Sequence, residues 1–322
     1  MALWVQQEWQ PHSYTRSALD YYSQRPQDSG LSVVDVSFVV ASRGEPRFAY
    51  LGAIVSDGKR ADLKAYEIPG LCLADQAEAT PSPAFDLFIS EFERLMAQIN
   101  GAVLLRDFLQ FGLFSPMVQH MLREGAKLKT HTFQLIDLRR DDSELWRDVR
   151  RSYRSLINGG RKNLRLEFVE ALSEDWAKMD AFRELHIRVA GRETRSIESW
   201  RSQYRWVTEG NAFLLLGWMD EELVTAGMFT FTSSMCTYFS SASRRDLFEK
   251  PMFHTLMWHA MLRAKALGCR WFDVNEKYFF NNPVVACEDE KLMSISDFKM
   301  GFGGQLKPVI DLELMRERAE EH

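Results

Sequence analysis

The stretch SDFKMGFGGQLKP, residues 296–308, places Lys299 among two phenylalanines and three glycines. Glycine adopts positive φ and allows close backbone approach, so a turn beside a bound substrate and a purely structural turn both remain open. Lys299 is the residue here that can do chemistry, and the alternative is a solvated lysine at a helix C-terminus. Phe298 and Phe302 are typical core residues, and Phe298 is also a candidate for substrate contact.

Two carboxylates follow an apolar run that predicts a strand. Asp273 and Glu276 lie in WFDVNE, residues 271–276. The carboxyl ends of strands are where α/β folds place ligands, and a carboxylate there can accept a proton from an attacking group or orient it. Asp273 and Glu276 are therefore catalytic candidates, and the sequence does not decide between them.

A polar loop surrounds Gly191, which predicts a break between two helices. The segment LHIRVAGRETRSIESW carries the candidate substrate-binding residues His186, Arg192, Arg195 and Trp200. Polar groups on rigid flanking helices suit a binding lid, and an imidazole with a near-neutral pKa can act as a base. A buried or surface-paired histidine is the simpler alternative for His186.

Basic residues are concentrated in a segment that predicts one helix and the turn after it. They are Arg147, Arg150, Arg151, Arg154, Arg161, Lys162 and Arg165. The first four recur at helical spacing and are predicted to share one face. Such a face can bind phosphate, which makes Arg154, Arg161 and Lys162 phosphate-binding candidates; a solvated basic face is the alternative.

The composition indicates a soluble globular protein with one long or two medium domains. The 322 residues are 46% hydrophobic and 26% charged, and the net charge of −5 argues against general nucleic-acid binding and a DNA partner. The four cysteines are widely separated and the seven histidines show no HxxxH or HExxH spacing, so we expect reduced thiols, a cytoplasmic location and no metal. No signal-peptide pattern and no apolar run of about 18 residues is present, so no transmembrane segment is expected.

The order of elements predicts an α/β fold with a mixed sheet and two similar modules. Residues 1–30 are interpreted as an irregular lead-in, and residues 31–140 as a first module of strands and helices that begins with a hairpin. Residues 141–322 are interpreted as the second module. It would begin with a helix ended by Gly159 and Gly160 and continue through a strand and two helices. An antiparallel meander, a helix, the strand WFDV, a helical turn and a last strand would complete it.

Residues 236–274, CTYFSSASRRDLFEKPMFHTLMWHAMLRAKALGCRWFDV, and the later ISDFKMGFGG together resemble the FemAB-like branch of the GNAT acyltransferase superfamily. This branch includes the peptidyltransferases that build peptidoglycan cross-bridges. The resemblance covers about residues 140–310, and the first module matches only in its alternation of strands and helices, as a degenerate GNAT module of a tandem pair.

The resemblance implies an N-acyltransferase that forms an amide and needs no further cofactor. The donor would be aminoacyl-tRNA or an acyl thioester such as acyl-CoA, and the acceptor an amine on a cell-envelope, sugar-nucleotide or small-metabolite molecule. Lys299 would stabilise the negative charge that develops on the carbonyl oxygen. Tyr238, within the resembling segment, is a further substrate-binding candidate.

One loop departs from the GNAT pattern. The pyrophosphate-binding loop usually contains Gln/Arg-x-x-Gly-x-Gly/Ala, whereas residues 243–251 contain no glycine. The departure favours aminoacyl-tRNA or another large phosphorylated donor, with Arg244, Arg245 and Lys250 as phosphate-binding candidates and surface salt bridges as their alternative role. A non-catalytic module that binds a phosphorylated ligand or partner protein is the alternative to an enzyme. The sequence does not predict the oligomeric state.

Overall fold

The computed structural model describes residues 2–75, 82–109, 113–247, 252–279 and 289–316, apart from the side chains of residues 24–28. The helices are α1 (Ala2–Val5), α2 (Arg16–Asp28), α3 (Pro83–Met96), α4 (Pro116–Arg123), α5 (Asp142–Asp148), α6 (Arg151–Asn163), α7 (Trp176–Ala190), α8 (Ile197–Thr208), α9 (Met252–Ala266) and α10 (Glu290–Met300). Short 3₁₀ turns lie at His12–Tyr14, Ala171–Ser173 and Arg245–Leu247. Within these ranges, no helix has both the length and the apolar character that a membrane span requires.

The strands of the described ranges come partly in runs, from β1 to β6 and from β10 to β12, and partly between helices. They are β1 (Ser32–Asp35), β2 (Phe38–Ser42), β3 (Glu45–Leu51), β4 (Ala53–Ser56), β5 (Ala61–Lys64), β6 (Gly70–Ala74), β7 (Ala102–Asp107), β8 (Lys127–Asp137), β9 (Arg165–Val169), β10 (Ala212–Met219), β11 (Glu222–Phe231), β12 (Met235–Ser243), β13 (Trp271–Glu276) and β14 (Gln305–Met315). The chain divides into two compact units. The first contains the described residues up to Thr132 and from Pro308, and the second those between Phe133 and Lys307.

In the first unit the strands form a mixed arrangement in the order β1-β4-β5-β7-β14, and β3 and β6 connect the β2–β3 hairpin to β7. The predicted hairpin is confirmed by the antiparallel pairing of β2 with β3. Helix α3 begins with Pro83 after Ser82, whose hydroxyl accepts a hydrogen bond from Phe85 N at 3.2 Å. Its apolar side, including Phe88 and Phe92, packs into the core.

The prediction of an irregular lead-in is wrong for residues 16–28, which form α2. Ala18 and Tyr21 are buried at helical spacing, and Arg16 pairs with Asp20 one turn later at 3.1 Å. The burial of one face therefore outweighs the helix-breaking tendency of Pro26 in the last turn.

In the second unit the strand order is β8-β13-β12-β11-β10-β9. Strands β10, β11 and β12 form the predicted antiparallel meander, and β12 pairs with β13 in parallel. Helices α6 and α9 pack together, and the Thr255 hydroxyl donates to Ile157 O at 3.2 Å.

The prediction of one helix over residues 141–160 is wrong, because α5 and α6 are separate. Val149 and Arg150 have extended ψ values of 129° and 134°. Arg150 N donates to Gly301 O at 2.8 Å, a tertiary bond that replaces a continuing helical one. Arg147 lies on α5 whereas Arg151 and Arg154 lie on α6, so the predicted common face does not form. Helix α6 also continues past Gly159 and Gly160 to Asn163.

The last strand differs from the sequence-based division into modules. Residues of β14 from Pro308 onward group with the first unit rather than the second. Ile310 to Met315 pair antiparallel with β7, and Asp311 there makes a bidentate ion pair with Arg106, with both N–O distances at 2.7 Å.

Candidate functional site

Lys299 lies in the last turn of α10 in the second unit. The helix begins after Asp289, whose carboxylate accepts hydrogen bonds from Lys291 N and Leu292 N. The Lys299 side chain is half-buried, and its Nζ atom lies 5.2 Å from the centroid of the Tyr238 ring on β12. Such a cation over an aromatic face is attracted by the ring quadrupole.

Two carboxylates act on the Lys299 ammonium. Burial lowers the pKa of Lys299 below the ordinary lysine value, and the negative charges of Asp273 and Glu276 oppose this shift. The three residues that the sequence proposed as catalytic are therefore electrostatically coupled. The site combines a half-buried cation with two carboxylates that favour its charged form.

An irregularity in β13 positions the two carboxylates. Asp273 pairs with Leu135 and Glu276 with Phe133, and the register shifts between these pairs. Asn275 has a left-handed φ of 73°, and its N–H donates to Asp273 Oδ1 at 2.7 Å. Residues three apart in a regular strand point to opposite faces, and a bulge redirects them. The bulge thus explains how both carboxylates act on one lysine.

The parallel ladder between β12 and β13 is short. Their paired register runs from Met235 with Trp271 to Thr237 with Asp273. Beyond it, the side-chain amide of Asn275 donates to Tyr238 O and bridges the two strands. The backbone pairing therefore ends beside Tyr238, at the position of the Lys299 ammonium.

Phe298 belongs to an aromatic cluster under the site. Its ring centroid lies 5.8 Å from that of Tyr153, 5.4 Å from Phe302 and 5.0 Å from His254. Burial lowers the pKa of His254 to about 4, so its imidazole is neutral at pH 7. Phe298 and Phe302 thus pack as core residues, and a substrate contact for Phe298 stays a prediction.

The glycine-rich turn after Lys299 is closely packed. A Cβ on Gly301 would lie 2.0 Å from Tyr153 Cε2. Gly304 has φ of 94°, and a Cβ there would meet Leu135 O at 2.6 Å. The buried Gln134 donates through Nε2 to Lys299 O at 3.2 Å and to Gly303 O. Gln134 and Asn275 are positioning residues that the sequence did not indicate.

His186 lies in α7 and Arg195 in the loop after it, and both contact Trp200 of α8. The His186 ring lies 5.4 Å from Trp200, and the Arg195 guanidinium lies 5.1 Å from the Trp200 ring and 6.0 Å from Phe239. Phe239 also contacts Trp206 of α8, whereas its neighbour Tyr238 contacts Phe253 of α9. The pairing of β11 with β12 skips Phe239, which therefore lies at a β-bulge. The Arg195 group packs with Phe239 against α8, whereas the Tyr238 ring beside Lys299 packs against α9.

The electrostatic state of His186 follows from this packing. Burial, and then the positive charge of Arg195, lower the pKa of His186 to about 4. Trp200 is fully buried in the core, and Arg192 is exposed. These four candidates are not brought together with Lys299, and a role for them in substrate binding stays a prediction.

The phosphate candidates after β12 differ in their surroundings. Arg244 forms ion pairs with Glu222 and Asp246, and these hydrogen bonds raise its pKa. Arg245 is exposed. Lys250 lies outside the described residues. Arg244 therefore has partners within the fold, whereas Arg245 is accessible to a ligand.

The candidates on α6 are also in different environments. The Arg161 guanidinium lies 5.5 Å from the Trp146 ring and donates to His259 Nε2 at 3.3 Å. Arg154 is half-buried, and Lys162 is exposed. Phosphate binding by these three residues stays a prediction.

The two units adopt a fold of the FemAB-like and GNAT type, with tandem GNAT-like modules. The structure is similar to that of FemX, with a TM-score of 0.68, 13% identity, and coverage of 90% of this chain and 90% of that chain. It is also similar to L-PGS from Bacillus licheniformis, with a TM-score of 0.54, 12% identity, and coverage of 89% and 84%.

A third similar structure is a tandem GNAT protein from the clavulanic acid biosynthesis pathway. Its TM-score is 0.50 at 12% identity, with coverage of 95% of both chains. No family model matches the sequence, and no curated protein matches it significantly. Structural similarity at these identities establishes the fold.

Proposed function

We propose that the protein is an N-acyltransferase that forms an amide. Its donor is an activated acyl or aminoacyl group, carried by tRNA or by a thioester, and its acceptor is an amine on a cell-envelope, sugar-nucleotide or small-metabolite molecule. The observation that carries the proposal is the half-buried Lys299 over Tyr238 beside Asp273 and Glu276. The fold shared with FemX and the tandem GNAT protein supports it.

The chemistry assigns each group a role. The acceptor nitrogen attacks the carbonyl carbon of the donor, and the oxygen of that carbonyl gains negative charge in the tetrahedral intermediate. The Lys299 ammonium stabilises this charge. The C–O or C–S bond to the carrier then breaks, and the carrier takes up the proton that the amine released and leaves as an alcohol or a thiol.

The proton of the attacking amine also needs an acceptor. We assign this role to Glu276, because its side chain is partly exposed whereas Asp273 is buried. Asp273 then positions the bulge and supplies charge that keeps Lys299 protonated. This assignment places a base and a cation on the same site.

Of the two donor classes, we favour aminoacyl-tRNA or another large phosphorylated carrier over a thioester. The loop at residues 243–251 contains no glycine, and close backbone approach to a pyrophosphate favours glycine. Exposed cations in the second unit, among them Arg151, Lys162 and Arg245, are accessible for phosphate contact.

A binding panel tests the proposal on the intact chain. Thermal shifts would be recorded with acetyl-CoA, a nucleotide-linked amino sugar, a peptidoglycan nucleotide precursor and charged tRNA, since ligand binding raises the melting temperature. A shift with tRNA or a nucleotide precursor, followed by amide product in a mixture of the two, supports the proposal. A shift with acetyl-CoA would make a thioester the donor. Binding without any amide product would make the protein a non-catalytic binding module.

A further inference from the structure

The first unit contains a cavity of about 320 Å³, and none of the candidate site residues of the second unit lines it. It is bounded by β6, by the end of β7 and by parts of α3 and α4. Its walls are mainly apolar and include Trp9, Leu73, Phe88, Phe108 and Met117. Ligand pockets in proteins have volumes of about 300–1,000 Å³ and walls of this character.

The cavity lies where two strands separate. Strands β6 and β7 pair in parallel at Gly70 with Leu105 and at Leu71 with Arg106. The register ends there, and Leu73 and Asp107 in the next part of each strand both line the cavity. The opening is therefore part of the strand geometry of the first unit.

Asp107 is one of two carboxylates in the wall of this mainly apolar cavity. Its Oδ1 accepts a hydrogen bond from Leu109 N at 2.6 Å. Burial raises the pKa of Asp107, and hydrogen bonds from Ser115 and Leu109 oppose this shift. By contrast, Asp75 in the same wall forms an ion pair with Arg47 at 2.5 Å. In the described part of the chain, no basic side chain forms such a pair with Asp107.

A carboxylate in a mainly apolar cavity is stabilised by a nearby cation, and a bound ligand can supply that cation. Buried charges in proteins are usually paired, and an opposite charge within about 4–6 Å stabilises an ionised carboxylate. A carboxylate can accept about four hydrogen bonds, so Asp107 retains capacity beyond its contacts with Leu109 and Ser115.

We propose that this cavity binds a primary amine. The ammonium of the ligand donates to Asp107, and its apolar body packs against Trp9, Phe88 and Phe108. Selectivity for the amine comes from the Asp107 carboxylate, because the Asp75 carboxylate in the same wall already forms an ion pair with Arg47. The size of the cavity limits the bound group to a short alkyl chain or one aromatic ring. The inference is independent of the acyltransferase proposal, because it concerns residues of the first unit alone.

Calorimetric titration of the intact chain with hexylamine, hexanol and hexanoate tests the inference. Hexylamine is expected to bind at least about tenfold more tightly than hexanol, since hydrogen bonds to charged groups are the stronger ones, and hexanoate is expected to bind most weakly. Asp107→Asn should remove the preference for the amine. Asp20→Asn, which removes a carboxylate of the same unit in a solvent-exposed ion pair, should retain it.

Hydrogen exchange on the unmodified chain provides a second readout if Asp107→Asn does not fold. Hexylamine should slow exchange in residues 71–75 and 113–117, which form the cavity wall. Equal affinity for hexylamine and hexanol would overturn the inference, and so would protection confined to other segments.

Discussion

The Nζ atom of Lys299 lies 5.2 Å from the centroid of the Tyr238 ring. The ring itself is fixed by Phe229 and Phe253, whose centroids lie at 5.9 Å and 5.5 Å. Attraction by an aromatic face holds an ammonium in place without neutralising its charge. The cation is therefore positioned by packing, and its charge stays available to an oxyanion.

Lys299→Ala should abolish most turnover and leave the fold intact. Removal of one group that stabilises an oxyanion lowers kcat by about 10²–10³-fold, and we expect a loss of this size with the donor and acceptor that the binding panel identifies. Lys291→Ala is the matched control, because Lys291 is an exposed lysine on the same helix. Unchanged turnover in Lys299→Ala, with an unchanged melting temperature, would contradict the catalytic role.

The pH dependence of the reaction should respond to the two carboxylates. The charged form of Lys299 is present below its pKa, which burial lowers and which Asp273 and Glu276 raise. Asp273→Asn removes a negative charge, so the pKa of Lys299 falls and kcat/KM is lost at lower pH on the alkaline side. Glu276→Gln removes a charge and the proposed base together, so its kcat should fall at every pH.

Asp297→Asn is the control for this pH experiment. Asp297 lies on α10 two residues before Lys299, but its carboxylate forms an ion pair with Lys277. Its substitution should leave the alkaline limb where it is in the unmodified chain. An alkaline limb that stays fixed in Asp273→Asn would show that Lys299 does not govern it.

The parts of the site that the sequence predicts are those that depend on element order. Lys299, Tyr238 and the carboxylates of β13 meet because a meander strand, a parallel strand and the last helix adjoin in this fold. The meander strand and β13 have clear apolar patterns, and the carboxyl end of a strand is a general ligand position. For α10 the sequence predicted only a helical turn, whereas the helix begins at Glu290.

The parts that the sequence does not predict depend on tertiary hydrogen bonds and strand faces. Arg150 donates to Gly301 O, and this bond between distant residues separates α5 from α6. Gln134 supports the glycine turn through two carbonyls of another element. Tyr238 contacts α9 and Phe239 contacts α8. The spacing of apolar residues in β12 does not predict which of these two neighbours contacts which helix.

Gly304→Ala should destabilise the second unit more than Gly268→Ala. Both glycines have left-handed φ values, 94° and 87°, so both alanines carry a backbone strain of about 1–2 kcal/mol. Only at Gly304 does a Cβ meet a backbone atom, Leu135 O at 2.6 Å, whereas Gly268 has nothing within 4 Å.

The steric conflict should add about 1–3 kcal/mol to the loss of unfolding free energy at Gly304. Urea unfolding of both variants, followed by hydrogen exchange in β8, measures the difference. Equal losses in the two variants would mean that the turn relaxes and that its close packing is not required.

Asp311→Asn should destabilise the first unit at neutral pH. Arg106 donates to both carboxylate oxygens at 2.7 Å, and His131 Nε2 lies 3.2 Å from Oδ2. Burial raises the pKa of Asp311, but the hydrogen bonds from Arg106 and His131 outweigh it and hold the pKa below the ordinary value. The Arg106 and Asp311 side chains are only 19% and 17% exposed, so breaking their ion pair should cost about 3 kcal/mol.

The sign of the pH effect follows from the lowered pKa. The stabilisation from ionised Asp311 is complete above the pKa of an unfolded aspartate, about 3.9, and is lost as the pH falls through the lower folded value. The gap in unfolding free energy between the unmodified chain and Asp311→Asn should therefore be largest near neutral pH and shrink in acid.

Glu313→Gln, on the same strand, is the control. It breaks an ion pair with Lys129, whose side chain is 50% exposed, and should cost at most about 1 kcal/mol at any pH. Urea unfolding of the three proteins between neutral and acidic pH measures these differences, and a gap for Asp311→Asn that is constant with pH would contradict the role of its charge.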